Sequence, residues 1–294
     1  MKVAIYGQAF QEEDAIYVSS FLEELKKIEA SVYIEQDFRG LLAPSISDLP
    51  VGTFTQNKGL DASFELFVSF GGDGTMLRAV TYIGKMGIPI VGVNTGRLGF
   101  LSTFKKEDVR KVVTEFTAGN FRIQERSLVE VTLDAETAEF GEMNFALNEI
   151  TVSRKDTTSM ITVETYLNDE YLTSYWADGL IISTPTGSTG YSLSCGGPVI
   201  APTAELLVLT PIAPHNLNAR PFVISCDTEI RLKVSGREEY HLVSLDSRIA
   251  SIPNGKEIRI RKSDFTIKMV EYKSESFLKT LRNKLLWGQD QRNP

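Results

Sequence analysis

Three glycines surround an aspartate in the segment from Gly71 to Thr75, which reads GGDGT. Glycines let a backbone approach a polyphosphate closely, and the N–H groups at the start of a helix offer it donors and positive potential. An aspartate in such a place repels phosphate unless it binds a metal ion or accepts a proton. Because phosphoryl transfer needs a group that orients the attacking hydroxyl and accepts its proton, Asp73 is the candidate base. Gly-Gly-Asp-Gly is also favourable turn chemistry, so a simple turn is the alternative.

A loop dense in hydroxyl groups follows an apolar run further along the chain. Residues 178–198 read DGLIISTPTGSTGYSLSCGGP. Serine and threonine offer neutral hydrogen bonds to sugar hydroxyls and phosphate oxygens, and Tyr191 offers a planar face on which a base can stack. A plain surface loop is the alternative, but Pro185 and the nearby glycines specify one path of the chain, which favours a ligand-binding loop.

An amide and a carboxylate stand side by side at Asn148 and Glu149, inside the apolar run from Phe145 to Val152. Neighbouring side chains of a strand point to opposite faces unless the strand bulges or ends there. The two groups can then serve two parts of one ligand. Taken alone, however, the pair is better explained by simple exposure to solvent.

Composition and charge exclude several classes of protein. The chain has 294 residues, 42% of them hydrophobic, and a formal net charge of −7. This length favours about two domains. The acidic balance argues against nucleic acid and membrane surfaces as partners, because both carry negative charge. No stretch approaches the roughly 18 apolar residues of a membrane span, and the apolar run at the amino terminus is too short for a signal peptide.

The chain has few residues with reactive or metal-binding side chains. Its two cysteines, Cys195 and Cys226, cannot form a disulfide framework and have no metal-ligand spacing. Its two histidines, His215 and His241, are expected to be structural. A reducing compartment fits best, and we therefore expect a cytoplasmic location.

Strands and helices alternate in the first third of the chain. Apolar runs predict strands at Val3 to Tyr6, Ser31 to Glu35, Leu66 to Phe70 and Ile88 to Val93. Apolar periodicity predicts helices at Glu12 to Glu29, Thr75 to Met86 and Lys106 to Thr117. The segment from Gly40 to Leu60, with two prolines and three glycines, is expected to be a loop. GGDGT then lies between a strand and a helix, where ligands bind in open α/β sheets.

From Phe121 onward the pattern changes to consecutive strands with period-two alternation. The strands predicted there include Val129 to Leu133, Ile161 to Leu167, Tyr171 to Trp176, Gly179 to Ser183, Glu229 to Val234 and Glu257 to Lys262. Ser276 to Leu286 is expected to form a closing helix. We therefore predict an α/β domain with a parallel sheet at residues 1–104 plus 268–294, to which that helix returns. A β-rich, sandwich-like domain is predicted at residues 105–267.

These segments resemble the motifs of the NAD kinase family. Residues 71–75 match its G-G-D-G-T motif, Asn148-Glu149 its N-E motif, and residues 178–198 its long block of T-P-T-G-S-T-x-Y and G-G-P. Residues 94–101 look like the family's glycine loop after the next strand. G-G-D-G-T alone also occurs in diacylglycerol and sphingosine kinases and in phosphofructokinases, so the long block decides the resemblance.

The resemblance implies transfer of the terminal phosphate of ATP to the 2′-hydroxyl of the adenosine ribose of NAD, with NAD held between two domains. Asp73 matches the residue assigned as general base. NAD-binding roles are implied for Gly74, Phe100, Asn148, Glu149, Asp178, Thr186, Thr189, Gly190, Tyr191, Ser194 and Asp246. We further expect the ATP phosphates to be bound by Gly71, Gly72, Thr75 and Arg97.

Three positions differ from what is usual in that family. Gly190 stands where alanine is usual, so one methyl is missing while any backbone contact is kept, and we expect binding to survive. Asp246-Ser247-Arg248 stands where many members have D-G, which bears on the role of Asp246. Trp176, near a position that is often basic, is expected in the core rather than on a stacking surface.

We expect Mg²⁺ or another divalent cation to act together with ATP. The partners expected are NAD and ATP, or polyphosphate in place of ATP, and a further copy of the chain, since the resemblance implies a homo-oligomer and often a homotetramer. A lipid kinase and a non-catalytic dinucleotide sensor are the alternative functions. The lipid kinase would require an apolar acyl groove and attraction to membranes, which the acidic balance opposes.

Overall fold

The computed structural model describes residues 1–9, 11–46, 51–56, 58–96, 99–133, 139–156, 159–273 and 275–287, with side chains for all of these except 43–46. The chain divides into two compact units, Met1–Glu125 with Ile267–Pro294, and Arg126–Thr266. The first boundary lies some twenty residues later than the sequence analysis placed it. The reason is that Val109, Val112 and Val113 are buried in the same core cluster as the first strand, so their helix belongs to the first unit.

The strands of the first unit form a parallel sheet. They are β1 (Lys2–Gly7), β2 (Ser31–Glu35), β3 (Gly52–Phe54), β4 (Leu66–Phe70), β5 (Ile90–Asn94) and β6 (Phe104–Lys105). The sheet order is β5-β4-β1-β2-β3, and β6 pairs with β5 as well. Every residue of β4 and β5 is buried, as expected for central strands of a sheet covered on both faces.

The helices are short and mostly flank this sheet. In chain order they are α1 (Ala15–Lys27), α2 (Gln36–Ile46), α3 (Asp73–Ile83), α4 (Val109–Thr117), α5 (Tyr191–Ser194) and α6 (Phe277–Leu285), and 3₁₀ turns occur at Glu12–Asp14, Gly84–Met86, Lys106–Asp108 and Gly187–Thr189. Helix α5 belongs to the second unit, and α6 lies in the part of the chain that returns to the first. The turn after α3 stops at Gly87, whose φ of +68° is readily adopted by glycine.

The loop predicted from Gly40 to Leu60 is wrong in part. Helix α2 extends to Ile46, and β3 occupies Gly52–Phe54 at the edge of the sheet. The side chains of Leu42 and Phe54 are both buried in the core. Glycine and proline suggested a loop, but burial of these two apolar side chains outweighs the weak local propensities.

The second unit contains two antiparallel sheets. Its strands are β7 (Phe121–Leu133, entering from the first unit), β8 (Phe145–Ala146), β9 (Glu149–Arg154), β10 (Ile161–Leu167), β11 (Glu170–Ala177), β12 (Gly179–Ser183), β13 (Leu206–Ile212), β14 (Phe222–Ser225), β15 (Ile230–Ser235), β16 (Tyr240–Leu245), β17 (Arg248–Pro253) and β18 (Glu257–Tyr272, leaving to the first unit). One sheet has the order β14-β13-β12-β9-β16-β17, and the other contains β11-β10-β15-β18.

Apolar side chains from both of these sheets share one buried core, including Ile150 and Val243 from the first and Val163 and Leu232 from the second. The predicted fold class, an α/β domain followed by a β-rich sandwich-like domain, is therefore confirmed. Within the described ranges, no helix has the length and apolar character needed to span a membrane.

Candidate active site

Asp73 stands where β4 gives way to α3. The turn begins at Gly71, whose φ is +148° and whose N–H donates to the carbonyl oxygen of Val93 at 2.9 Å. Gly72 is the N-cap of α3, so Asp73 is the first helical residue, two positions earlier than predicted. A Cβ atom at Gly71 would overlap the Thr75 side chain. Glycine is thus required at position 71 by both its conformation and its packing.

Neither conformation nor packing within the described part of the chain requires glycine at the other two positions of this segment, Gly72 and Gly74. At Gly72 and at Gly74, an added Cβ would meet no atom within 4 Å in the described part of the chain. Gly72 has φ −88°, which any residue adopts. Open space at both positions, beside the free N–H groups of the first helical turn, is what close approach of a phosphate group requires.

Three consecutive backbone N–H groups hold the Asp73 carboxylate. Phe100 donates to Oδ2 at 2.8 Å, while Leu101 and Ser102 donate to Oδ1, each at 3.0 Å. A carboxylate offers about four lone-pair directions, so roughly one remains, on Oδ2. The predicted residues Asp73 and Phe100 are thus brought together, and the orientation of the carboxylate is fixed by the main chain.

Gly99 makes this contact possible, because a Cβ atom there would overlap the Asp73 carboxylate. Sequence reasoning did not assign Gly99 to the site, although it lies in the glycine loop that carried the resemblance. The same loop begins with an Asx turn in which Gly96 donates to Oδ1 of Asn94 at 2.8 Å. Arg97, predicted to bind phosphate, lies outside the described residues.

In the second unit, the predicted strand is interrupted between β8 and β9, so Asn148 lies in the interruption and Glu149 is the first residue of β9. The N–H groups of Leu147, Asn148 and Glu149 all donate to the carboxylate of Asp246, at 3.0, 2.8 and 3.2 Å. The N–H of Asp246 donates in return to the carbonyl oxygen of Glu149 at 3.0 Å. The contacts of Asp246 with the predicted NAD-binding residues Asn148 and Glu149 are therefore made to the main chain of those two residues, and not to their side chains.

The hairpin turn between β16 and β17 is compatible with serine in place of glycine at position 247, because among the described residues the positive φ of this turn belongs to Asp246 and not to Ser247. Asp246 has φ +51°, in the left-handed region that aspartate tolerates better than most residues. Arg248, directly after the turn, donates from its guanidinium to the carbonyl oxygens of Met143 and Phe145. The segment 143–149 is thus bound along its length by two residues of one turn.

The carboxyl group of Glu149 is in an unusual environment. Burial, and next the nearby Asp246, raise the pKa of Glu149 to about 8, although the Tyr191 backbone N–H acts in the opposite direction. Burial also raises the pKa of Asp246. Oε2 of Glu149 is buried and has no hydrogen-bond partner among the residues the structure describes. The raised pKa favours the protonated form of this side chain, and in that form it can donate as well as accept a hydrogen bond.

Much of the hydroxyl-rich loop serves its own structure. Oγ1 of Thr184 donates to the carbonyl oxygen of Leu147 at 2.6 Å, and Oγ of Ser188 donates to that of Pro185 at 2.7 Å. Ser183, Thr184, Ser188 and Ser192 are fully buried. These four hydroxyls are therefore not available to a ligand, contrary to the general expectation for the loop.

The hydroxyl groups named in the prediction are in a different position. Oγ1 of Thr186 is buried without a hydrogen-bond partner in the described ranges. Ser194 is exposed, and Tyr191 is 46% exposed. Thr189 differs from them, because it is partly buried and its Oγ1 donates to the carbonyl oxygen of Thr186 at 3.2 Å. Polar and aromatic groups that fold formation leaves uncommitted are suited to contacts with a ligand.

Two glycines of this loop lie against Asn148 and Glu149. A Cβ atom at Gly187 would overlap the carbonyl group of Asn148, so this close approach requires glycine. At Gly190 a methyl group would lie 3.1 Å from Oε2 of Glu149 and 3.5 Å from Nδ2 of Asn148. The alanine usual in the family would thus touch both predicted ligand groups, and glycine leaves them uncovered.

Asp178 and Trp176 complete the predicted residues of this unit. The carboxylate of Asp178 forms an ion pair with Arg154 at 3.0 Å, a partner that sequence reasoning did not find. Trp176 is 50% exposed and packs on the ring of His215 with a centroid distance of 4.3 Å. The expectation that Trp176 lies in the core is wrong, because the alternating pattern of β11 places it on the solvent face of an edge strand.

Two family models match the chain: the ATP-NAD kinase N-terminal domain over residues 17–121 and the ATP-NAD kinase C-terminal domain over residues 147–272. The NAD kinase of Flavobacterium johnsoniae is 54% identical over 294 residues, which is 100% of both chains. The NAD kinase of Cytophaga hutchinsonii is 44% identical over 295 residues, again 100% of both chains.

Two solved structures share the fold. The crystal structure of yeast NADH kinase complexed with NADH has a TM-score of 0.87 at 24% identity, covering 100% of this chain and 89% of that one. An NAD kinase from Archaeoglobus fulgidus in complex with ATP has a TM-score of 0.74 at 27% identity, covering 97% of this chain and 99% of that one. The predicted resemblance is confirmed: the chain belongs to the NAD kinase family, whose members phosphorylate NAD to NADP with ATP.

Proposed function

We propose that this NAD kinase transfers the phosphate with Asp73 as the group that aligns the ribose hydroxyl and accepts its proton. The observation that carries the proposal is the Asp73 carboxylate, held by three N–H groups with about one lone-pair direction of Oδ2 left. The 2′-oxygen forms a bond to the γ-phosphorus, the bond from that phosphorus to the bridging oxygen breaks, and ADP leaves. The hydroxyl proton passes to Oδ2.

The remaining parts of the site position the two substrates. The N–H groups of Asp73, Gly74 and Thr75 precede the first hydrogen bond of α3, which runs from Met76 to Gly72 at 3.1 Å. They are therefore free to bind phosphate oxygens, and the helix dipole favours negative charge there. Positioning and electrostatic stabilisation of this kind supply most of the catalysis in phosphoryl transfer.

The second unit is proposed to bind NAD through groups that the fold leaves uncommitted. The amide of Asn148 and the protonated carboxyl of Glu149 suit the adenosine and its ribose, because sugar hydroxyls both donate and accept. Thr186 and Ser194 add hydroxyl groups, and the exposed ring of Tyr191 offers a stacking face. The Thr189 hydroxyl donates to the carbonyl oxygen of Thr186, so it is proposed to serve NAD as an acceptor.

Mg²⁺ is proposed to enter together with ATP. In the described part of the chain, no group of three His, Cys, Asp or Glu side chains is close enough together to hold a metal ion. A cation carried mainly by substrate phosphates fits this donor set, since Mg²⁺ commonly uses few protein ligands in such enzymes. When bound, it neutralises charge on the phosphates.

A homo-oligomer, in the family's tetrameric form, and a cytoplasmic location are further parts of the proposal. Large apolar side chains of the second unit are exposed, among them Trp176 at 50%, Phe222 at 44% and Leu217 at 87%. Trp176 and Phe222 line the same cavity, and neighbouring exposed apolar side chains commonly mark protein interfaces. Both cysteines are free thiols, which suits a reducing compartment. Light scattering after size-exclusion chromatography tests the oligomer, and fractionation of the source cells tests the location.

The decisive experiment compares the protein with its Asp73→Asn variant. The proteins are incubated with NAD, Mg²⁺ and ATP or polyphosphate, and NADP is measured with an NADP-specific dehydrogenase. We expect Asp73→Asn to keep NAD binding and to lose on the order of 10² or more in turnover. The matched control is Asp169→Asn, at an exposed hairpin turn, which should behave as the parent protein does.

Each alternative predicts a different result in this assay. A dinucleotide sensor would bind NAD and form no NADP, and a lipid kinase would consume ATP only when an acyl substrate is added. Near-normal turnover of Asp73→Asn would remove Asp73 from the mechanism while leaving the kinase activity itself intact.

A further inference from the structure

The turn after β16 is connected to the interrupted strand by hydrogen bonds in both directions. Its aspartate, Asp246, accepts from three successive N–H groups of residues 147–149, and its own N–H donates to the carbonyl oxygen of Glu149 at 3.0 Å. Two strands paired by a regular ladder do not need a carboxylate for this purpose. Here β8 ends at Ala146, so the N–H groups of the next residues would otherwise lack a strand partner.

At the interruption, the side chains of Asn148 and Glu149 both approach Gly190 of the hydroxyl-rich loop. In a continuous strand these neighbours would point to opposite faces. Their main chain is also fixed from the other side, because the N–H of Thr184 donates to the carbonyl oxygen of Asn148 at 2.9 Å and Oγ1 of Thr184 donates to that of Leu147 at 2.6 Å. The carboxylate of Asp246 thus accepts from the N–H groups of residues 147–149, and Thr184 donates to the carbonyl oxygens of Leu147 and Asn148.

We propose that Asp246 is a positioning residue, which acts on NAD binding by fixing the main chain of Asn148 and Glu149 rather than by touching the dinucleotide. This proposal rests on the proposed function of Asn148 and Glu149 in holding the adenosine and its ribose. It replaces the direct contact expected for Asp246 from sequence. Arg248 supports the same segment through the carbonyl oxygens of Met143 and Phe145.

The bonding pattern allows a graded test. Oδ1 accepts from Asn148 and Glu149, and Oδ2 accepts from Leu147. An asparagine at position 246 keeps the oxygen that serves Asn148 and Glu149 and loses the bond from Leu147, whereas an alanine loses all three. The side-chain volume of asparagine is nearly that of aspartate, so packing is preserved.

The experiment measures the NAD dissociation constant, the KM for ATP and kcat for Asp246→Asn and Asp246→Ala. Hydrogen exchange of the N–H groups of residues 147–149 is followed on the same proteins. We expect NAD binding to weaken by a few-fold in the asparagine variant and by about tenfold to a hundredfold in the alanine variant, with the KM for ATP unchanged. Exchange at 147–149 should accelerate in the same order.

A matched control is available in the same unit. Asp169 is also an aspartate with a left-handed backbone in a hairpin turn, at φ +66°, but its carboxylate pairs with Arg231 at the surface. Asp169→Ala should leave NAD binding and exchange at 147–149 unchanged. It thereby measures what the loss of an aspartate from such a turn costs by itself.

Two results would overturn the positioning role. Weaker NAD binding without faster exchange at 147–149 would mean that Asp246 touches the dinucleotide directly. Unchanged NAD binding in Asp246→Ala, with only a lower melting temperature, would mean that the contact is merely structural. If the alanine variant does not fold, the asparagine variant still decides, because it loses one of the three bonds. Failure of the proposed function is recognised separately, by the absence of NADP formation in the parent protein.

Discussion

A side chain at Gly99 would overlap the carboxylate of Asp73. The glycine is therefore part of the catalytic arrangement although it carries no functional group. We expect Gly99→Ala to displace the carboxylate from its N–H donors, to destabilise the fold by about 1–3 kcal/mol, and to lower kcat by about tenfold or more. Thermal unfolding and the NADP assay measure both effects. Gly40→Ala is the control, since a Cβ atom there meets nothing within 4 Å among the described residues. Full activity of Gly99→Ala would contradict the arrangement.

The three glycines of the segment 71–75 should respond differently to alanine. Gly71→Ala is expected to be strongly destabilising, because of its φ of +148° and its contact with Thr75. Gly72→Ala and Gly74→Ala should fold well, and the latter should gain up to about 1 kcal/mol from helix propensity. Both should raise the KM for ATP, because a methyl group would meet the phosphates. Melting temperatures and steady-state kinetics separate these outcomes. An unchanged KM for ATP in both variants would remove the phosphate-binding role of the segment.

Thr184 and Thr186 allow a comparison between a hydroxyl that is hydrogen-bonded inside the fold and one that is proposed to bind NAD. Oγ1 of Thr184 donates to Leu147 and accepts from the N–H of Gly187 at 3.1 Å. Thr184→Val should therefore destabilise the fold by about 1–3 kcal/mol. Thr186→Val should leave stability equal or higher, because its buried hydroxyl has no partner in the described ranges, yet it should weaken NAD binding. Calorimetric titration with NAD and thermal unfolding test the pair. A stability loss in Thr186→Val equal to that in Thr184→Val would count against this division.

The raised pKa of Glu149 predicts a pH dependence of stability. Unfolded, this carboxyl ionises near pH 4.3, whereas burial raises its folded pKa to about 8. The stability it contributes is full below about pH 4 and is lost as the pH rises toward 8 and beyond. Glu149→Gln should therefore show a smaller decrease in melting temperature between about pH 6 and pH 9 than the parent protein does.

The groups near Glu149 define the control for that experiment. Asp246 faces it from the β16–β17 turn, Tyr191 from the first residue of α5, and Cys195 from the residue that follows α5. Asp246 shifts in the same direction, so part of the pH dependence should persist in Glu149→Gln. Glu170→Gln, at an exposed site of the same unit, should match the parent protein. Parallel melting curves for the parent protein and Glu149→Gln would show that Glu149 is ionised in the fold.

The strand and helix around GGDGT could be predicted from sequence because the signals are local. An unbroken apolar run marks a buried strand, and glycines next to an aspartate mark its end. The partners of Asp73 could not be predicted in the same way. They are main-chain N–H groups 27 to 29 residues away. Every residue except proline has such a group, so the residue types at these positions do not indicate the contact. Only the glycine at position 99 records the contact in the sequence.

The second unit shows the same limit. The residue types at Asn148-Glu149 leave open whether the strand continues, bulges or ends there, and taken alone they favour simple exposure to solvent. The role of Asp246 depends on a pairing of segments 97 to 99 residues apart, which no local pattern encodes. The composition of residues 178–198 predicts one hydroxyl-rich ligand-binding loop. Burial decides which hydroxyl groups of this loop form hydrogen bonds inside the fold. The order of residue types along the loop does not indicate which ones are buried.

Asp73 and Asp246 grip the chain in one and the same manner: Oδ2 takes the first N–H of a run of three, and Oδ1 takes the next two. Because all six donors are backbone N–H groups, these hydrogen bonds do not depend on the side chains of residues 100–102 or 147–149. As far as anchoring is concerned, those positions are free to drift over evolutionary time and to adapt to the nucleotide. Proline is the one exclusion, because it has no hydrogen on its nitrogen.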